Sequence, residues 1–139
     1  MSHPDLGLSI DDLDTPALLV DLDVLEANIA RMAALCKKHG KAWRPHTKAM
    51  KTPEIARKLI DAGAIGVTCA KLGEAEVMAE GGIGDILIAN QLAGPRKMRR
   101  LAELARRADV IVAIDHADQA RAISDAMMGA TGGLSASAE

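Results

Sequence analysis

From Thr15 onward the sequence changes period repeatedly, short apolar runs of β type giving way to longer segments with apolar residues at helical spacing. Such alternation is what a parallel sheet demands, because each strand must be followed by a crossover that returns the chain to the same end. The first run, 17–21, reads Ala-Leu-Leu-Val-Asp, and the helix after it carries Leu25, Ile29, Met32, Ala33 and Cys36 on one stripe. Asp23 is the expected N-cap, and His39-Gly40 the stop. The second strand is placed at 41–49, and Thr52-Pro53-Glu54 opens a helix with Ile55, Leu59 and Ile60 as its stripe. Strands at 64–70, 85–90 and 109–115 follow, with helices at 74–80, 95–107 and 117–127. The result is about five βα units.

Strands that read as near-continuous apolar runs belong to parallel sheets covered on both faces, so the expected fold is α/β. A complete eight-stranded barrel takes about 250 residues. A chain of 139 residues therefore holds part of one, or an open doubly wound sheet. The open sheet would need a glycine-rich loop after its first strand to bind a nucleotide, and Val20-Asp21-Leu22-Asp23 has no glycine. Gly81-Gly82-Ile83-Gly84 precedes a strand and reads as a helix stop and turn. Residues 1–14 form an N-terminal segment, 15–127 the α/β unit, and the small-residue stretch 128–139 a flexible tail.

Lys plus Arg number 17 against 19 for Asp plus Glu, a formal charge of -2 that offers no footprint for nucleic acid or an anionic membrane. Trp43 is the sole residue of the Phe, Tyr and Trp set, so no base-stacking platform can be built, and Leu, Ile, Val, Ala and Met must form the core. Cys36 and Cys69 lack metal-site spacing and are expected to be buried thiols in a reducing compartment. With no apolar run long enough to span a bilayer and an acidic opening unlike a signal peptide, the expected location is the cytoplasm.

Chemistry concentrates in Arg44-Pro45-His46-Thr47-Lys48-Ala49-Met50-Lys51. Strand alternation puts Arg44, His46 and Lys48 on one face and Pro45 and Thr47 on the other. A polar row on a buried strand is costly unless paired or used. A lysine at the carboxyl end of a strand, beside other cations, has its pKa pushed down and can attack a carbonyl as a neutral amine. Alternatively, Lys48 and Lys51 are solvated loop residues. Asp21 and Asp115 at strand ends can cap the helices that follow, Asn90-Gln91 can be ordinary turn residues, and His116 is expected at the surface, with His3 and His39 peripheral.

Three blocks carry a resemblance: Asp14-Thr15-Pro16-Ala17-Leu18-Leu19-Val20-Asp21-Leu22-Asp23, Arg44-Pro45-His46-Thr47-Lys48, and the run from Thr68 to Met78 that contains Lys71-Leu72-Gly73-Glu74. In colinear order, they resemble the D-threonine aldolase and D-serine dehydratase group of pyridoxal-phosphate enzymes, whose N-terminal domain is an alanine-racemase-like barrel. The resemblance implies a partial (β/α)8 barrel with Lys48 as the Schiff-base lysine for pyridoxal phosphate. It implies that His46, Arg44, Asp21, Asn90, Gln91 and Asp115 surround the cofactor. Where the family often has a second histidine after the lysine, this chain has Met50, so no role for that histidine is carried over.

The group also continues through further barrel strands and a C-terminal β domain bearing the ligands of a divalent metal; neither is expected within these residues, so no metal-binding residue is assigned. The function implied is a lyase for small D-amino acids, by retro-aldol cleavage of D-threonine-like 3-hydroxyamino acids or by dehydration of D-serine, with activity impaired by truncation. The competing reading is a non-catalytic cofactor-binding or inactive barrel fragment. An unfinished barrel has an open sheet edge, so a homodimer is a further expectation.

Overall fold

Asp21 starts the first α-helix: its carboxylate accepts the Val24 N–H at 3.0 Å, making it the N-cap of α1 (Leu22–Lys38), which follows a single 3-10 turn at Ile10–Asp12. The cap therefore sits two residues before the expected Asp23, which lies within the first turn. The computed structural model describes residues 5–132, so the outer parts of the expected N-terminal segment and tail lie outside the described residues. Four more helices follow among the described residues: α2 (Pro53–Asp61), α3 (Leu72–Glu80), α4 (Pro95–Ala105) and α5 (Ala117–Gly132). Helix α5 continues beyond Met127, so the first residues of the expected tail are helical.

Strands β1 (Val67–Cys69), β2 (Asp85–Gln91) and β3 (Asp109–Ala113) form one parallel sheet in the order β1-β2-β3. Val67 is in register with Ile86, and Ile86 with Val110. The ladder slips between Ile88 and Gln91, so the carboxyl end of β2 bulges. Proline at the first position of α2 and of α4 sets the helical φ where no N–H is needed. Gly82, with φ 86°, makes the turn after α3 in the left-handed region open to glycine.

Two of the five expected strands are corrected. The segment at 41–49 is reduced to a single parallel bridge between His46 and Thr68, supported by the Thr68 N–H to the Pro45 carbonyl at 2.8 Å and the Ile65 N–H to that of Trp43 at 3.0 Å. Residues 17–21 are not a strand; Leu18 is 93% exposed. A run of β-forming residues becomes a strand only when a neighbour supplies its hydrogen bonds, and none of the described residues does so here.

The core lies between the sheet and its helices. Val67, Cys69, Ile86 and Ile88 are fully buried beneath Leu72, Ala75 and Met78 of α3 and Met98, Leu101 and Leu104 of α4. A smaller cluster of Ile29, Leu59 and Ala64, flanked by half-buried Trp43, joins α1 to α2. The opposite face is not covered, contrary to the expectation of a sheet buried on both sides. It presents His46, Leu87 and Ile111, the last 48% exposed, beside half-buried Arg44 and buried Thr68.

Candidate active site

Parallel strands bring their carboxyl ends to one rim, and the turn at 47–50 leaves the bridged segment there. Thr47 is completely buried toward the core, its hydroxyl 3.1 Å from the Thr68 carbonyl and 3.4 Å from Cys69 Sγ. Its neighbours His46 and Lys48 are both exposed. The Lys48 N–H donates to His46 Nδ1 at 3.2 Å, so this imidazole carries its proton on Nε2.

Arg44 shares the face of His46 but sits elsewhere. Its guanidinium donates to both carboxylate oxygens of Asp85, with Nη2 3.3 Å from Oδ2, at the amino end of β2 and thus at the opposite end of the sheet from the Lys48 turn. The expected convergence of Arg44 with Lys48 is not observed. Asp21 is engaged as the cap of α1. Asp115 stands just past β3, its N–H 3.3 Å from Gln119 Oε1, and His116 is exposed as expected, accepting the Asp118 N–H at 3.2 Å.

Asn90 and Gln91 do reach the rim. Asn90 Nδ2 donates to the Ala70 carbonyl at 3.2 Å and its Oδ1 accepts the Gln91 N–H at 2.9 Å, so the amide braces the ends of β1 and β2. Both residues line a cleft of about 510 Å³ beside α3 and α4, whose wall also includes Lys51, Lys71, Glu74, Lys97 and Arg100. Lys48 is not part of that cleft. Glu74 accepts the Ala70 N–H at 2.8 Å and lies 3.4 Å from Lys51 Nζ. Burial alone pushes the Glu74 carboxyl up, but the Ala70 N–H, Lys51 and the Lys71 N–H together hold it below the usual carboxylate range. The Arg100 guanidinium holds Glu76 low as well, with Nε 2.8 Å from Oε1.

Sequence reasoning gave Glu74 and Asp85 no role. The available signal was positional: Glu74 follows Lys51 by roughly one βα unit, which brings both to the same rim. Cys69 is a buried thiol as expected, its pKa raised by that burial, whereas Cys36 is only partly covered. No helix among the described residues is long and apolar enough to cross a membrane, and no group of three or more His, Cys, Asp or Glu among them is placed to hold a metal ion.

The signature of the alanine racemase N-terminal domain matches residues 20–134. The chain belongs to that family. This alanine racemase N-terminal domain is 43% identical over 116 residues to a D-threonine aldolase of Arthrobacter sp., covering 84% of this chain and 31% of that protein. It is 41% identical over 112 residues to a 3-hydroxy-D-aspartate aldolase of Paracoccus denitrificans, covering 78% of this chain and 29% of that protein. The crystal structure of a D-threonine aldolase from Filomicrobium marinum superposes with a TM-score of 0.85 at 44% identity, over 88% of this chain and 33% of that one. The chain spans about a third of the length of the relatives it matches. These likenesses bear out the expected partial α/β barrel, with fewer paired strands than the sequence suggested.

Proposed function

We propose that this domain is the lysine-bearing part of a pyridoxal-phosphate-dependent lyase that cleaves D-3-hydroxyamino acids by a retro-aldol reaction. The observation that carries the reading is Lys48, an exposed amine on the rim whose preceding residue, Thr47, is anchored in the core. The aldolases among the relatives support retro-aldol cleavage ahead of D-serine dehydration.

The residues present fit the aldehyde end of the cofactor. Lys48 has no acidic partner among the described residues, and the sheet face beside it is open. When bound, pyridoxal phosphate accepts the electron pair released as the Cα–Cβ bond breaks. Lys48 would hold the group at the rim. His46, with its proton on Nε2, presents a donor toward the open face. Asn90 has both ends of its amide committed and shapes the site, while Gln91 offers an exposed amide. Asp115 stands on the same rim, whereas Arg44 and Asp21 serve the fold. A divalent metal, if the whole enzyme uses one, takes its ligands outside the described residues. The substrate is a small D-amino acid, no nucleic acid or membrane partner is invoked, a homodimer is compatible with the open sheet, and the cytoplasm is the proposed location.

A second reading, cofactor binding without turnover, is favoured by the commitment of Arg44 to Asp85 at the far end of the sheet. Absorbance spectra with pyridoxal phosphate before and after borohydride reduction, with Lys48→Ala in parallel, test the common premise. A shifted band fixed covalently at Lys48 and absent from the variant is expected; a spectrum of free cofactor in both proteins overturns it. Metal-dependent release of glycine from D-threonine then separates the lyase from the carrier.

A further inference from the structure

The turn that carries Lys48 is tied down at both ends. On the leading side, the Thr47 N–H and hydroxyl both reach the Thr68 carbonyl, at 2.8 and 3.1 Å. On the trailing side, the Lys51 N–H returns to the Thr47 carbonyl at 2.8 Å. Lys51 has a φ of 50°, in the left-handed region that long side chains seldom occupy. Such a backbone persists only where its surroundings over-determine it.

Part of those surroundings is a carboxylate, reached by a Lys51 side chain that is itself 61% exposed. Glu74 Oε1 lies 3.4 Å from Lys51 Nζ, while Oε2 accepts the Ala70 N–H at 2.8 Å, and the Glu74 side chain is only 12% exposed. The bond to Ala70 braces the residue just before Lys71, the N-cap of α3. The other oxygen is directed at the residue whose backbone is strained and whose amide closes the Lys48 turn.

We propose that Glu74 is a positioning residue for Lys48: by holding Lys51 in its left-handed conformation, it fixes where the Lys48 amine stands on the rim. Its meaning for the cofactor rests on the reading of Lys48 given above, whereas the control of the turn does not. Gln at 74 can still accept the Ala70 N–H, and Met at 51 leaves Glu74 in place, so Glu74→Gln and Lys51→Met remove the ion pair by independent routes.

Three quantities are compared with wild type: hydrogen exchange at the Lys51 amide, the acetylation rate of Lys48 by acetic anhydride, and the rate at which borohydride fixes pyridoxal phosphate on Lys48. Displacing a reacting group by about 1 Å can cost roughly a hundredfold, so a partly loosened turn is expected to slow cofactor fixation about tenfold in both variants. Lys51 exchange should quicken and Lys48 acetylation should change, with an unaltered far-UV spectrum. Adding Lys51→Gly to Glu74→Gln should restore fixation, since glycine takes positive φ without a clamp. A residue that only stabilised α3 would lower the melting temperature and leave Lys48 alone. Wild-type exchange and wild-type Lys48 reactivity in both variants overturn the proposal. If wild-type protein fixes no cofactor at Lys48, the cofactor reading fails, and exchange with acetylation decides the positioning claim by itself.

Discussion

Arg44 and Asp85 meet across Gly66 in a space that exists because residue 66 has no side chain. A Cβ built there would lie 2.5 Å from the Asp85 carbonyl oxygen and 2.8 Å from its Cγ, with the Arg44 guanidinium closer still. The Arg44 side chain is 15% exposed and that of Asp85 38%, so the pair is half-buried at the amino end of the sheet.

Gly66→Ala should therefore destabilise the fold by about 1–3 kcal/mol, the usual cost of forcing atoms into a filled space. Urea unfolding followed by circular dichroism measures it. Stability equal to wild type would mean that both the Arg44 side chain and the backbone at Asp85 give way to the methyl at no cost, and the close approach at Gly66 would then be unnecessary for folding.

Asp21 provides a separate test, because its side chain is assigned to the α1 cap and not to cofactor binding. Asp21→Ala is expected to cost about 1 kcal/mol, whereas Asp21→Asn should be nearly neutral because an amide oxygen also caps. Chemical denaturation gives the loss, and cofactor fixation at Lys48 should be unchanged in both proteins. Loss of fixation with stability retained would return Asp21 to the site.

These two cases also show what a single sequence can and cannot disclose. Pro95 and the alternation of His46, Thr47 and Lys48 were legible because the forces behind them act within one turn or one strand. Residues 17–21 have the composition of a strand, yet pairing depends on a neighbour, and composition does not specify neighbours. Asp85 lies 41 residues from Arg44, and nothing local announces that each will neutralise the other. Asp21 and Asp23 differ by less than one helical turn, a margin that capping preference alone does not resolve.

Acid should weaken the fold through Glu74 and Glu76. Both carboxyls titrate below their ordinary value of 4.5 in the folded chain, so the unfolded chain takes up protons first as pH falls. Their stabilising contribution is thus complete above 4.5 and is lost as pH drops through the lower folded values. Melting temperatures measured downward from neutral pH should show little slope from these groups until that point and then fall. In the Glu76→Gln protein the acid slope should be shallower, and an identical slope would deny the carboxylate its part.

The two thiols should separate by reagent access. Cys69 is fully buried and its thiol is pushed up by that burial, while Cys36 is partly open on α1. Iodoacetamide followed by peptide mass spectrometry should label Cys36 in the native protein and Cys69 only after denaturant is added. Early labelling of Cys69 would mean that β1 opens locally without global unfolding.

A sheet covered on one side brings less apolar surface out of hiding when it comes apart. Because the denaturant slope and the heat capacity of unfolding both scale with newly exposed surface, each should be small for a chain of this length, the urea slope near the low end of about 1–3 kcal/mol per molar. The transition will be broad for that reason alone. Ile111 and half-buried Leu87 already meet water in the folded chain, so each adds less to the heat capacity of unfolding than a fully buried residue does, and the stability curve should be correspondingly flat.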